Sequence, residues 1–354
     1  MEILLEEFYK QDLHNPYYVE RKTQLHEEHS QIIGVSQSGK SSLIKHYLLQ
    51  QKKSTYLYID CSDIRIDVDA LNSHLQIFCL EHSIEILALD NYNPAIVLPA
   101  VQQILISGEQ LFTLEGFELI RLYPLDFEEF LAYEHKFDST ALNHYLQLGG
   151  FPAMHRTPSE DRIPTLQRTL QHALSDIEFS LIWLITKMAS QKVSAFALYE
   201  RLKSERRISK DMLYKSMEQL IDKGYVHQVE KFSHTRATKK LYLCDIAIKH
   251  ALTTQKHFGR LFENLIFLEL LKHDHSIYYA ESIDFYLPTE NRAILCMPFS
   301  NKEMLFKKIE GIEGFLVTHQ VSRVEVVTMS SEGELHHPFA DVEMMPFAIW
   351  ALQE

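Results

Sequence analysis

The chain has 354 residues, 35 basic and 48 acidic side chains, a net charge of −13 and 46% hydrophobic residues. At roughly 100–200 residues per domain that length predicts two or three domains, the apolar content excludes wholesale disorder, and the charge argues against coating nucleic acid with the whole surface while allowing a local basic patch. No stretch of ~18 uncharged apolar residues occurs, the start MEILLEEFYK lacks a secretory pattern, and Cys61, Cys79, Cys244 and Cys296 form no CxxC pair, so a cytoplasmic protein without a membrane span, zinc site or disulfide framework is expected.

Residues 1–30 read as a short helical lead-in that ends in the polar run QLHEEHS. Four strand-like runs follow, at 31–35 (QIIGV), 56–60 (YLYID), 84–90 (IEILALD) and 103–107 (QILIS), with a fifth candidate at 118–122 (ELIRL). Continuous apolar runs separated by helical patterns predict a parallel α/β sheet covered on both faces. A helix near 142–148 and the breaker cluster Gly149-Gly150-Phe151-Pro152 close the region.

Between the first strand and the helical pattern SSLIKHYLLQQ lies Gly34-Val35-Ser36-Gln37-Ser38-Gly39-Lys40-Ser41, a full GxxxxGK[ST] (Walker A) match in the strand–helix context the motif requires. Gly34 permits a tight turn, and Gly39 lets backbone approach phosphates without a Cβ. Successive N–H groups and the helix N-terminus favour anions. Lys40 reaches the β- and γ-phosphates, and the Ser41 hydroxyl ligates Mg²⁺. The predicted ATP contacts are Gly34, Ser36, Gln37, Ser38, Gly39, Lys40, Ser41 and Leu43. The run 84–90 ends in Asp90, which suits a Walker B carboxylate near the Mg²⁺ held by Ser41. Lys40 and Asp90 are the predicted catalytic residues, and Ser41 and Asp90 the metal site. ATPases of this type commonly carry Glu at the next position. Here it is Asn91, an amide that cannot serve as a carboxylate base, so hydrolysis is expected to be slow or to use another acid. Glu109 is a candidate by position, its alternative being a solvated loop glutamate. Ser107 falls where a γ-phosphate sensor would sit, its alternative being a plain strand-end serine.

Residues 160–180 read as a helical bridge. Helical patterns at 181–190, 195–204 and 210–223 follow, with Gly224 at a helix C-cap. Strand-like runs at 225–229 and 240–243 flank the loop SHTRATKK, which makes a winged-helix arrangement. Residues 181–245 carry 13 basic and seven acidic side chains, a net of +6, against −19 for the rest. Lys203, Arg206, Arg207, Lys210 and Lys215 bracket the second and third helices, and Lys231, Arg236, Lys239 and Lys240 decorate the wing. Such a cluster suits either duplex DNA or packing on the nucleotide domain. Tyr214 and Met217 are predicted core residues. From about 258 a helix at 261–272 and strands at 276–279, 284–287, 293–297, 314–318 and 324–329 predict a third α/β or α+β unit. The 19 histidines are scattered, and the adjacent His336-His337 has the wrong spacing for a shared metal face.

The segments LDNYNP, ILISGEQ, LIRLYPLDFEEFLAYE, LQLGGFP, KKLYLCDIAI, FGRLFENLIFLELL and IYYAESIDFYL follow one another in order. Together they resemble the prokaryotic AAA+-like P-loop ATPases with an appended winged helix and a C-terminal restriction-endonuclease-like domain of unknown function. The resemblance covers nearly the whole chain. It implies a P-loop domain at 1–155, a helical linker at 156–180, a winged helix at 181–250 and a nuclease-like domain at 251–354. Three departures from the pattern are Asp90-Asn91 in place of Asp-Glu, Gly108-Glu109 in place of Gly-Ser, and Glu115-Gly116 where an arginine is usual. They weaken the case for fast turnover and leave nucleotide binding largely intact. The resemblance also points to Glu263 and Asp284 as nuclease carboxylates. The strand at 292–298 (RAILCMP) lacks the acid and lysine that would complete the site, so an inactive scaffold is expected. Three functions fit: a slow ATPase whose nucleotide state moves the winged helix, a non-hydrolysing switch that binds an unidentified protein, or a DNA-associated ATPase.

Overall fold

Short apolar runs become parallel strands in the N-terminal part of the computed structural model, which describes residues 1–135, 140–255, 257–273 and 276–353. The chain divides into two units, Met1–Pro124 with Asp222–Gly224, and Leu125–Ile221 with Tyr225–Glu354. The first contains α1 (Glu2–Lys10), β1 (Ser30–Ile33), α2 (Lys40–Leu49), β2 (Tyr56–Asp60), α3 (Val68–Glu81), β3 (Ile86–Asp90), β4 (Gln103–Gly108) and β5 (Glu118–Arg121). All pairings are parallel, in the order β2-β3-β4-β1-β5. This is an α/β unit with a five-stranded parallel sheet, consistent with a P-loop NTPase-like fold.

The strands β1 to β4, the edge strand β2 included, are buried along nearly their whole length, so both faces need apolar cover. The two-residue strand period sends Leu57, Ile59, Leu87 and Leu89 to one face, where Leu5, Phe8, Leu71 and Phe78 of α1 and α3 cover them. Tyr56, Tyr58 and Ala88 go to the other, against Leu43, Ile44 and Leu48 of α2. The expected helical lead-in is helical only over Glu2–Lys10; most of 11–29 is irregular.

The second unit begins with α4 (Phe127–Glu134), α5 (Ala141–Leu148), α6 (Pro152–Arg156) and α7 (Ser159–Ala173). Then come α8 (Asp176–Met188), β6 (Gln191–Lys192), α9 (Ala195–Glu205), α10 (Lys210–Asp222), β7 (Val226–Lys231), β8 (Lys240–Leu243), α11 (Ile246–Leu252) and α12 (Phe258–Leu271). The chain ends with β9 (Tyr278–Ala280), β10 (Ile283–Leu287), β11 (Arg292–Cys296), α13 (Lys302–Glu310), α14 (Glu313–Thr318), β12 (Arg323–Thr328), β13 (Gly333–His336), β14 (Asp341–Pro346) and α15 (Phe347–Trp350). The strands form one sheet in the order β13-β14-β12-β11-β10-β9-β7-β8-β6. Its joint is the parallel pairing of β7 with β9 through Glu230↔Tyr278 and Lys231↔Tyr279.

These units depart from the expected partition. Phe127, Phe130 and Tyr145 of α4 and α5 pack with Phe262 and Phe267 of α12, Phe285 of β10 and Trp350 of α15. Residues 125–155 therefore belong with the second unit, not with the parallel sheet. The run 314–318 was expected as a strand and is the helix α14. Only Leu316 in it is fully buried, Val317 is 48% exposed, and Leu316 N–H bonds back to Ile312 O, the one-sided pattern of a helical turn. Tyr214 is 53% exposed, not core: the buried stripe of α10 runs through Leu213, Met217 and Leu220, and Tyr214 falls beside it. Among the described residues no helix is long and apolar enough to cross a membrane.

Candidate nucleotide-binding site

The backbone leaves β1 at Ile33, turns through Gly34 and re-forms as α2 at Lys40. Gly34 lies so near the next strand that a Cβ would stand 2.3 Å from Leu122 O. Gly39, the N-cap of α2, has φ 103°, in the left-handed region that favours glycine. Within the loop, Ser38 N–H donates to Val35 O at 3.2 Å. Ser38 is fully buried, and its Oγ has no hydrogen-bond partner among the described residues. Ser36, Gln37 and Ser41 are half-buried around it.

Lys40 curls back over the loop, its Nζ donating to Gly34 O at 2.8 Å and Val35 O at 2.9 Å. Burial pushes this ammonium below the ordinary lysine value, opposed by the charges of Glu109 and then Asp90. Glu109 thus acts on Lys40 through space. Leu43, expected among the ligand contacts, is committed elsewhere. Its side chain fills the core under α2, and its N–H donates to Gly39 O.

Asp90 ends β3 and is 1% exposed. Tyr58 OH donates to its Oδ2 at 2.6 Å, and the Ser107 hydroxyl donates to its Oδ1. Burial, reinforced by Asp90, raises the Tyr58 phenol above its ordinary range, so it stays a donor. Ser107 arrives on β4, which lies between β1 and β3 with Ser107 registered against Ile32. The parallel topology therefore puts the serine beside both the loop strand and the carboxylate.

Asn91 follows with φ 53°. Its N–H donates to Ser107 Oγ at 3.3 Å, and its Nδ2 donates to Asp60 Oδ1 at 3.0 Å. Asp60 ends β2 and is the register partner of Asp90. Ser62 adds two more bonds to Asp60 Oδ1, from N–H at 3.0 Å and from Oγ at 2.7 Å. Burial raises the Asp60 pKa, but bonds from Asn91 and Ser62 and the charge of Lys45 outweigh it and hold the carboxyl below its usual range.

Sequence reasoning missed Arg21. It is 6% exposed and donates from Nη1 to Ser38 O at 2.9 Å and from Nη2 to Tyr123 O at 2.6 Å, tying the loop to the segment after β5. It lies in an irregular stretch with no motif, so nothing local marked it. Beside it Tyr18 stacks on His46 at 3.7 Å, lining a cleft of about 230 Å³.

In the second unit Lys240 Nζ lies 2.7 Å from Glu263 Oε1 and 3.7 Å from Asp284 Oδ1. Tyr242 OH donates to Glu263 Oε1 at 2.7 Å, and Cys296 N–H to Asp284 Oδ2 at 2.8 Å. Burial lowers the Lys240 pKa, but Glu263 and Asp284 outweigh it and keep the ammonium charged. Lys240 is therefore an internal counter-ion, not the exposed wing cation expected. Lys231 pairs with Glu281 and Lys239 with Glu230. Lys203, Arg207, Lys210, Lys215 and Arg236 remain exposed. Among the described residues no three metal-ligating side chains cluster.

No protein-family model matches the chain. An uncharacterized protein of Methanocaldococcus jannaschii is 24% identical to it over 391 aligned residues, covering 91% of this chain and 87% of that one. Among solved structures, the Orc1 protein of Aeropyrum pernix in complex with DNA aligns with 66% of this chain and 88% of that one, at 13% identity and a TM-score of 0.32. Similarity at these levels assigns neither a family nor an activity.

Proposed function

We propose that this chain binds ATP with Mg²⁺ at the loop 34–41 and hydrolyses it slowly, the nucleotide state being passed to the helices and ribbon of residues 181–250. The observation that carries the reading is Lys40. It is a buried ammonium whose two hydrogen-bond partners are carbonyls of its own loop. Burying an ammonium is costly; the charges of Glu109 and Asp90 offset only part of that cost, since burial still lowers its pKa, and a polyphosphate entering the loop would add a direct counter-charge. The unpartnered Ser38 Oγ and the N–H groups at the start of α2 add donors for the same anion.

Ser41 and Asp90 would hold the metal. Each Asp90 oxygen accepts one hydroxyl and keeps lone pairs for it. Bound Mg²⁺ neutralises phosphate charge. Lys40 exchanges loop carbonyls for phosphate oxygens, and Tyr58 and Ser107 fix the Asp90 carboxylate. Titration of the purified protein with Mg·ATP tests this. Wild type binds, and Lys40→Ala binds at least about tenfold more weakly, about 1.4 kcal/mol. Equal binding by the two overturns the reading. Binding without phosphate release leaves the non-hydrolysing switch.

A DNA-associated version draws on exposed Lys203, Arg207, Lys210 and Lys215 around α9 and α10. It predicts salt-sensitive duplex binding that falls when Lys210 and Lys215 are neutralised. In either version residues 251–354 act as a nuclease-like scaffold without hydrolytic activity, the strand 292–298 supplying no further acid beside Glu263 and Asp284.

A further inference from the structure

We infer that Asp60 is the carboxylate that orients the attacking water, with Asn91 as its clamp, so that acid and amide are divided between β2 and β3. The inference rests on the ATP reading above.

Hydrolysis needs a hydrogen-bond acceptor for water near the metal-side aspartate. Asn91 carries no carboxylate, and its amide Nδ2 is spent on Asp60. Three acids stand at or just beyond the C-terminal ends of these strands. Asp90 is assigned to the metal in that reading, and each of its oxygens also accepts a hydroxyl. Glu109 lies beyond β4, and its charge acts on Lys40. Asp60 differs from both. It is one strand over from Asp90 in register, about 4.8 Å in the hydrogen-bonding direction. Its Oδ1 accepts three bonds, from Asn91 Nδ2 and from Ser62 N–H and Oγ. Its Oδ2 accepts none among the described residues. The side chain lines an open cleft of about 720 Å³ with Lys45, Tyr58 and Ser62 on one side and Glu7, Phe8 and Lys10 of α1 on the other. One oxygen is thus locked and the other is left for solvent, as a water-orienting carboxylate requires.

In the step, the water oxygen bonds to the γ-phosphorus while the bond to the β,γ-bridging oxygen breaks. The electron pair of that bond leaves on ADP. The water proton is received at Asp60 Oδ2 and is released to inorganic phosphate or solvent, so that ATP and water give ADP and phosphate.

The experiment compares wild type with Asp60→Asn, which keeps the shape and the Ser62 bonds but removes the charge. Three quantities are measured: Mg·ATP affinity, steady phosphate release, and affinity for Mg·ADP with aluminium fluoride, which mimics the state that includes the water. Asp60→Asn keeps ATP affinity within about threefold. It loses phosphate release and aluminium fluoride affinity by about a hundredfold, the scale of a removed general base. Asp60→Asn combined with Asn91→Glu recovers release, and Asp63→Asn in the same turn changes nothing. Should Asp60→Asn not fold, Asn91→Ala reads the same clamp, with ATP binding kept and release reduced. Undiminished release in Asp60→Asn, or a wild type that binds ATP and releases no phosphate, overturns the inference. A wild type that does not bind ATP overturns the functional reading itself, and the binding measurement separates that case.

Discussion

Lys240 of β8 and Glu263 of α12 form an ion pair of 2.7 Å, with side chains only 10% and 12% exposed. The pair pins the ribbon β7–β8 onto the main helix of the C-terminal strands. Asp284 shares the ammonium from 3.7 Å. Removing the cation strands two largely covered carboxylates.

Lys240→Met is therefore expected to destabilise the second unit by about 3–5 kcal/mol, the range for breaking a buried pair from one side. Lys240→Met combined with Glu263→Gln recovers part of that loss. Denaturant midpoints of the two variants and wild type check it.

Asp245 gives a pH prediction. Its Oδ2 accepts Gly150 N–H at 2.6 Å and its Oδ1 accepts Ala247 N–H at 2.7 Å, yet burial pushes the carboxyl up to about 7. The unfolded value is about 3.9. Between the two values the folded chain holds a proton that the unfolded chain lacks. The stabilising contribution is full below the unfolded value and is lost as pH rises through about 7. Melting temperatures from pH 5 to pH 8 should fall with a component that Asp245→Asn flattens.

Arg21→Ala is expected to lower stability by about 2–4 kcal/mol and to weaken ATP binding. The Ser38 O bond is buried and the Tyr123 O bond part-buried; losing a donor costs about 1–3 kcal/mol at a buried carbonyl and less at a part-buried one. Arg21→Lys should not rescue it, because one ammonium does not reproduce the two-pronged fork. Calorimetric melts and nucleotide titration give the two readouts.

Tyr58→Phe keeps the ring packed against α2 and deletes only the hydroxyl that donates to Asp90 Oδ2. A loss of about 1.5–3 kcal/mol is expected, the range for a hydrogen bond to a charged group, together with weaker Mg²⁺ dependence of ATP binding. Denaturation and Mg²⁺ titration at fixed ATP check it.

The loop 34–41 was legible because its chemistry is local: two glycines, a lysine and a hydroxyl in eight consecutive residues. The strands β2 and β8 coincide with the apolar runs 56–60 and 240–243 because turn residues bound them. Asp60 was an ordinary strand-ending aspartate until the parallel order set β2 beside β3. Lys240 looked like a surface cation because charge counting does not see that β8 turns its side chain towards α12. The place of residues 125–155 is not legible locally, because the aromatics of α4 and α5 pack with a helix more than a hundred residues away. In each case the deciding contact is long-range, and a local pattern carries no record of it.

The pairing of β7 with β9 has a mechanical consequence. It makes the basic ribbon an edge portion of a single slab that continues to β13, and Lys240 rivets that slab from beneath. A torque applied to this ribbon is shared with every strand beyond it. If nucleotide exchange drives motion here, the ribbon will swing with the whole plank as a stiff lever, rather than flap as a small hinged paddle.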